Sequence, residues 1–493
     1  MQLIQLVKEL DIESVKGSLE LEITGLSQNS KTVQPGYLFI CIKGFVADGH
    51  HYIDQAIANG ACAIIVQEGN PDKKGIPIIK VRDTRKVLAQ IASRFYGYPS
   101  RQLRLIGITG TNGKTTVAYM IKAILEEARK KVGLLTTVEN IINDQNMESK
   151  MTTMDALSLQ KSFYKMLQGG TDFVVMEVSS HSLYLSRVDE CDFDTAIFTN
   201  ISDEHFEIHH NFQNYLKSKK ELFRSLHLTS SHISHKQGIV NIDDKHAQDF
   251  LDCLKVKSVT YGIKQNCHFR AYNILLQLNK TSFCVETPAG HAKIEINMGG
   301  QYNVYNALAA IAATMGQGIS LEVIAEAFQK FSGVPGRYKL LNFGQPYTII
   351  IDFAHNFHGL ENILKSLKLF SKNKIITVFG HGGERDPRVR KNMGQVVGNY
   401  SDYCIITTDN PRSEKPKIIS EEIEKGLTEV QHQNYDIILS RSEAIEHALN
   451  IAQNDDIVLI AGKGPETKQV YKNQVIYHND QEVVQKILLK KRF

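Results

Sequence analysis

"GITGTNGKTTVAYM", Gly107 to Met120, decides how this chain is read. The apolar run "LRLIGI" leads into it, and "TTVAYMIKAILEEA" continues from it with helical spacing. Between strand and helix lie glycines, one lysine and two threonines. From Gly107 to Thr115 the pattern is G-x-x-x-x-x-G-K-T, one spacer longer than the usual phosphate-binding loop. The physics is unchanged: backbone N–H groups of the loop and of the helix N-terminus point at phosphate oxygens, and Lys114 adds a point charge. The hydroxyl of Thr115 is placed to face Mg²⁺. Gly110, Thr111, Asn112, Gly113, Lys114, Thr115 and Thr116 are therefore the candidate phosphate site. Such a loop also serves kinases, GTPases and motors, but the guanine-selective N-K-x-D is absent.

Outward from this loop, short apolar runs alternate with helical patterns. "ACAIIVQ", "IPIIKV", "FVVMEV", "TAIFTNI", "YTIIIDF", "KIITVFG", "YCIITTD" and "DIVLIAG" read as buried parallel strands. "VAYMIKAILEEARK" and "IISEEIEKGLTEVQ" read as crossover helices, so the fold class is α/β. Many of the strand-like runs end in polar or glycine clusters, where ligands of open α/β sheets bind. Glu177 closes one run and His205 lies just past another; both suit a metal beside the phosphates. "YGYPSRQLR" and "FSGVPGRYKLL" read as joints, dividing the chain into units at 1–101, 102–335 and 336–493.

The 493 residues exceed what one core accommodates, and a net charge of +4 does not suggest a nucleic-acid surface. Seven scattered cysteines without metal-finger spacing fit free thiols in a reducing cytoplasm. The N-terminus lacks the apolar core of a signal peptide, and no run approaches the ~20 apolar residues of a membrane span. A cytoplasmic monomer that binds neither membrane nor nucleic acid is expected.

Taken in order, "GITGTNGKTT", "MEVSSHSL", "TNISDEH", "YLKSKKELF", "YNVYNALAAIA", "GVPGRY", "DFAHNFHGLENIL", "GGERD", "TTDNPR" and "AGKGPET" resemble the Mur ligases. These ATP-dependent enzymes add amino acids to UDP-N-acetylmuramoyl precursors of peptidoglycan. The resemblance covers essentially the whole chain and is closest to the branch that adds the third residue of the peptide. It implies an N-terminal uridine-nucleotide domain, a central P-loop ATPase domain and a C-terminal Rossmann-like domain that binds the amino acid. The implied reaction phosphorylates a carboxylate of the nucleotide–peptide substrate. The acyl phosphate is then attacked by the incoming amine. A carboxylate is a poor electrophile, and phosphorylation gives it a leaving group.

By resemblance, Thr115 and Glu177 hold one Mg²⁺, and His205 with a carbamylated Lys219 helps hold a second. Lys114, Glu177, His205 and Lys219 make up the implied catalytic set. Asn303 and Asn306 resemble adenine-side asparagines, while Arg337, Asp352 and His355 resemble groups that close on ATP. Ser30 matches a uridine-nucleotide contact, and Thr152, Thr153, Ser179 and Arg187 match contacts to the muramoyl-peptide. Asp409, Asn410, Pro411 and Arg412 form "DNPR", which resembles the signature of enzymes adding meso-diaminopimelate. A guanidinium forks two hydrogen bonds to that substrate's second carboxylate. Arg385, Gly462 and Glu466 complete the implied pocket, with the glutamate suited to the distal ammonium.

The chain departs from the family pattern at Asn29, Lys31, Met154, Asp155, Glu204, His210, His381 and Pro465, and in "FAHNFH" where "YAHTPD" is usual. Most of these departures lie in the substrate motifs. An altered amino acid, such as L-lysine, or an altered acceptor is the alternative reading. A folylpolyglutamate-type ligase fits less well, because the N-terminal motifs and "DNPR" are both present. A degenerate nucleotide binder would not need Lys114, Glu177, His205 and Lys219 together.

Overall fold

A computed structural model describes residues 1–491 except 46, 70, 74, 205 and 228–235. The loop strand Arg104–Thr109 lies in the interior of the largest sheet. Six parallel strands run side by side there: Lys257–Gly262, Gln237–Asn241, Thr195–Phe198, Arg104–Thr109, Phe173–Glu177 and Val132–Leu135. Both faces of the interior strands are covered, which is why they read as unbroken apolar runs. Chain order switches sides at Arg104–Thr109, since Phe173–Glu177 pairs on one flank and Thr195–Phe198 on the other. A crevice opens at such a switch point, outside the carboxyl ends of the strands.

At one edge Phe269–Leu276 continues the sheet in parallel, and Thr281–Thr287 and Gly290–Ile296 follow it antiparallel; at the other edge Glu139–Ile142 and Gln145–Glu148 are added antiparallel. Thr281–Thr287 alternates buried and less buried positions, the mark of a strand covered on one face. None of these strands has the continuous apolar run that the sequence reading relied on. The helix Lys114–Glu127 packs under the sheet against Gln301–Met315. The small residues of "NALAAIAA" let the two backbones approach.

The N-terminal sheet runs Ile12–Lys16, Ile78–Val81, Ala61–Val66, Tyr37–Ile40, Gly25–Ser27, with only the first strand antiparallel. The C-terminal sheet runs Lys339–Leu341, Thr348–Asp352, Ile457–Ala461, Ile375–Phe379, Tyr403–Ile406, Tyr435–Ile437, again with one antiparallel edge. The joint at "FSGVPGRYKLL" is packed, not loose. A Cβ on Gly336, at φ +64°, would stand 2.1 Å from the Pro465 nitrogen, so the joint rests on the "GKGPE" loop. Lys468 of a small C-terminal hairpin also pairs with Glu148 of the central sheet's edge. Among the described residues no helix is long and apolar enough to cross a membrane.

One buried ion pair fixes the strand end that carries this loop. Arg441 donates from Nε and Nη2 to the two Asp480 oxygens at 2.7 Å each, and Nη2 also reaches the Ala461 carbonyl at 2.9 Å. Both side chains are fully buried. Burial alone would raise the Asp480 carboxyl, but Arg441 outweighs it and holds the group well below the usual carboxylate range. The stabilisation is complete above the ordinary carboxyl pKa and fades as pH falls below it. Asp480→Ala would leave a buried, unpaired guanidinium and cost about 3–5 kcal/mol. Urea unfolding of the C-terminal unit checks this. The variant's midpoint should fall at neutral pH, and the difference from wild type should narrow in acid.

Candidate active site

The loop after Arg104–Thr109 runs against its neighbouring strand end. At Gly110, φ is +146° and a Cβ would stand 1.9 Å from Thr199 Oγ1. At Gly113, φ is +89° and a Cβ would stand 2.5 Å from Asn306 Oδ1. Only glycine allows both approaches. Asn200 then fixes the loop. Its carbonyl accepts from the Thr111 N–H at 2.8 Å, and its side-chain oxygen accepts from the Asn112 N–H at 3.0 Å. Thr199 Oγ1 donates to the Asn112 carbonyl at 2.7 Å. Thr199 and Asn200 lie in "TNISDEH", a motif from which the sequence reading drew no role for either. Lys114 Nζ donates to the Gly110 and Thr111 carbonyls at 2.9 and 2.8 Å, and burial lowers its pKa.

Strand pairing sets Glu177 beside Ile108, so its carboxylate meets the first turn of the loop helix. Thr115 Oγ1 donates to Glu177 Oε1 at 2.8 Å. Thr137 holds the same carboxylate through its N–H at 2.9 Å and its hydroxyl at 3.2 Å. Thr137 has no motif of its own and was not legible in the sequence. Hydroxyl and carboxylate oxygens suit a hard cation such as Mg²⁺. Among the described residues no group of three His, Cys, Asp or Glu is placed to hold a metal. His205 lies outside the described residues.

The helix Phe212–Ser225 turns Lys219 inward. Lys217 is exposed, and Lys220 faces Asp249 at 3.6 Å. Lys219 is 2% exposed, donates to the Gly110 carbonyl at 2.7 Å and lies 4.6 Å from the Tyr215 ring centre. Burial, with Lys114 nearby, lowers its pKa well below that of an ordinary lysine.

The remaining residues fall into groups. Thr152 accepts from Thr137 Oγ1 at 3.1 Å, and Thr153 Oγ1 donates to the Glu177 carbonyl at 2.9 Å. The Ser179 N–H donates to Thr153 Oγ1 at 3.1 Å, and Arg187 donates to the Thr153 carbonyl at 2.9 Å. These four therefore surround the Glu177 strand end. Ser30 lies apart, in the N-terminal unit, where its hydroxyl donates to Gln55 at 2.7 Å. A cavity of about 720 Å³ opens between the phosphate loop and the C-terminal sheet and is lined by Asn303, Asn306, Arg337 and Asp352, among others. Asn306 donates to Asn303 at 3.0 Å. Arg337 stacks 4.1 Å over Phe353 and donates to Thr115 Oγ1 at 3.1 Å, while its buried Nε lacks a partner. Burial raises the Asp352 carboxyl, opposed by Arg337.

A second cavity collects Arg385, Asp409, Asn410, Arg412, Gly462 and Glu466. Pro411 packs behind it, its carbonyl 1.9 Å from where a Cβ on Gly383 would stand. Asn410 donates to Glu466 at 2.8 Å and accepts from the Val470 N–H at 3.0 Å. Fully buried Lys463 bridges Glu466 and Asn410 at 2.8 and 3.2 Å; it stood unremarked inside "GKGPE". Arg412 Nη1 donates to the Gly383 carbonyl at 2.6 Å, and its guanidinium is lowered by burial and by nearby Arg385. His355 and His381 line the same cavity. Burial, then the charge of Arg390, pushes His381 down to about 4, so the ring is neutral and accepts from Arg390 Nε at 3.3 Å.

Comparisons with known proteins accord with this layout. Residues 22–96 match the Mur ligase family catalytic domain, 108–314 the Mur ligase middle domain and 336–464 the Mur ligase glutamate ligase domain. A Caldanaerobacter subterraneus UDP-N-acetylmuramoyl-L-alanyl-D-glutamate–2,6-diaminopimelate ligase is 42% identical, covering 99% of both chains. The Clostridium tetani protein of that name is 40% identical, again over 99% of both. A solved structure of a ligase of the same name aligns with TM-score 0.68 and 27% identity, over 100% of this chain and 99% of that one. MurF ligase from Thermotoga maritima in complex with ADP shares the fold, with TM-score 0.66, 18% identity, and coverage of 94% of this chain and 98% of that one. By domain content and by full-length likeness, the chain belongs to the Mur ligase family.

Proposed function

We propose that the chain joins meso-diaminopimelate to the D-glutamate of UDP-N-acetylmuramoyl-L-alanyl-D-glutamate, at the expense of ATP. The observation that carries the reading is the second cavity. It brings two guanidinium groups, Arg385 and Arg412, together with several carboxylates, Asp409 and Glu466 among them. That set matches an amino acid with a second carboxylate and a distal ammonium. The names of the full-length relatives support the same substrate pair. The units at 1–101, 102–335 and 336–493 would hold the uridine nucleotide, through Ser30, then ATP, then the amino acid.

In this mechanism the adenine side of ATP lies by Asn303 and Asn306, and the phosphates lie over residues 110–116. Arg337, Lys114 and the loop N–H groups face the triphosphate charge. Thr152, Thr153, Ser179 and Arg187 orient the acceptor carboxylate for attack on the γ-phosphorus. ADP leaves and an acyl phosphate remains. The amine, held with its amino acid by Arg385, Asp409, Asn410, Arg412 and Glu466, attacks the acyl carbon. The C–O bond to phosphate breaks, and phosphate leaves as the amide forms. Asp352 and His355 sit at the strand end that closes over this exchange. Mg²⁺ held by Thr115 and Glu177, with a second ion near Lys219 and His205, would neutralise phosphate charge. Carbamylation needs a neutral amine, and the burial that lowers Lys219 favours that form. Reaction of the amine with CO₂ gives a carbamate and releases a proton, turning a cation into an oxygen ligand. The reading places the reaction in the cytoplasm, where its nucleotide substrates are made.

Purified protein given ATP, Mg²⁺ and the UDP-dipeptide, with a panel of amino acids, tests the assignment. L-lysine leaves the guanidinium of Arg412 half-buried without its carboxylate. A lost partner of that kind costs ~2–5 kcal/mol, so kcat/KM should favour meso-diaminopimelate by at least ~100-fold. Equal use of lysine would replace this reading with that of a ligase of altered specificity. Arg412→Ala should lose most of the meso-diaminopimelate reaction while KM for ATP stays unchanged.

Lys219→Ala should be nearly inactive and partly restored by added short carboxylates, which can fill the vacated anionic position. Loss of activity in Lys217→Ala instead, with Lys219→Ala unimpaired, would refute the role given to Lys219.

A further inference from the structure

Asn356 stands at the seam between the two cavities. It is 6% exposed and begins the helix Phe357–Lys368. Its Oδ1 accepts from the Gly359 N–H at 2.8 Å, an N-cap that fixes which way the amide faces. Nδ2 is thereby turned out of the C-terminal unit. It donates to Glu204 Oε1 at 3.2 Å and approaches Asn112 Oδ1 at 3.4 Å. Asn112 belongs to the phosphate loop and lines the larger cavity, while Glu204 and Asn356 line the cavity of Arg385 and Arg412. Glu204 is 14% exposed in its side chain, with His355 Nε2 3.6 Å away. It is also close enough to Lys114 and Lys219 to act on both electrostatically. Glu204 and Asn356 are both sites where the chain departs from the family pattern, and the fold brings them together.

We infer that Asn356 is a positioning residue for closure: one end of its amide caps a C-terminal helix while the other grips Glu204 and Asn112 of the central unit. The reaction needs the amine on one unit to reach the acyl phosphate on the other, so misplacement at this seam lowers turnover rather than substrate binding. The inference rests on the ligase reading for the need to close, not on which amino acid is used.

Asn356→Asp is the decisive variant. Aspartate caps a helix as well as asparagine does, so the thermal midpoint should not move. The donor toward Glu204 becomes a carboxylate facing a carboxylate. With whichever of meso-diaminopimelate and L-lysine the wild type uses better, kcat should fall at least ~10-fold, and KM for ATP should stay within about twofold. In the Glu204→Gln background, where an amide faces the new carboxylate, the same substitution should cost at least ~5-fold less. Wild-type kcat in Asn356→Asp, or the same loss in both backgrounds, overturns the inference. Should the wild type turn over neither amino acid, the ligase reading fails separately. Small-angle scattering with ADP then decides: an Asn356→Asp variant as compact as wild type overturns the inference, and a more open one upholds it.

Discussion

The site depends on one close approach, that of Gly110 to the strand end carrying Thr199. No side chain fits between them, since the space a Cβ would take is held by the Thr199 hydroxyl. This contact, with the hydrogen bonds that Thr199 and Asn200 make to the loop, sets the height of the phosphate loop above the sheet. Lys114 and Thr115 follow from that height, because the helix starts where the loop ends. Glu177 meets Thr115 because its strand pairs with Arg104–Thr109 in a register that places it beside Ile108.

Charge is concentrated around that loop. Lys114, Lys219 and Arg337 all lie near it, and burial lowers the pKa of each. Glu177, Glu204 and Asp352 oppose that effect. Cations drawn out of water near one glycine loop are costly without anions beside them, and a bound triphosphate would add to those the protein supplies. At the second cavity burial and Arg385 lower Arg412, while Asp409, Glu384 and Glu466 oppose them.

Much of the fold was legible because interior strands buried on both faces announce themselves as apolar runs. "FVVMEV" and "TAIFTNI" contain the strands Phe173–Glu177 and Thr195–Phe198, and their ends carry the residues that ring the loop. The strands Thr281–Thr287 and Gly290–Ile296 escaped that reading because only one face is covered, so apolar and polar residues alternate. "GVPGRY" read as a joint between units, and the missing Cβ of its second glycine serves close packing on Pro465. Within the site, loop residues followed from glycine spacing and lysine position. Thr137, Lys463 and Asn356 did not, because each has a partner far away in the chain: Glu177 for Thr137, Asn410 for Lys463 and Glu204 for Asn356. A threonine, lysine or asparagine without such partners is an ordinary surface residue, and spacing cannot tell the two apart.

On the proposed function, the strand-end cluster activates a carboxylate by moving a phosphoryl group onto it. The direct measurement is the fate of oxygen in the acceptor. With the D-glutamate γ-carboxylate of the UDP-dipeptide labelled with ¹⁸O, each phosphate released should carry one labelled oxygen, since the C–O bond to phosphate breaks when the amine attacks. Phosphate free of label, formed in step with the amide product, would contradict it.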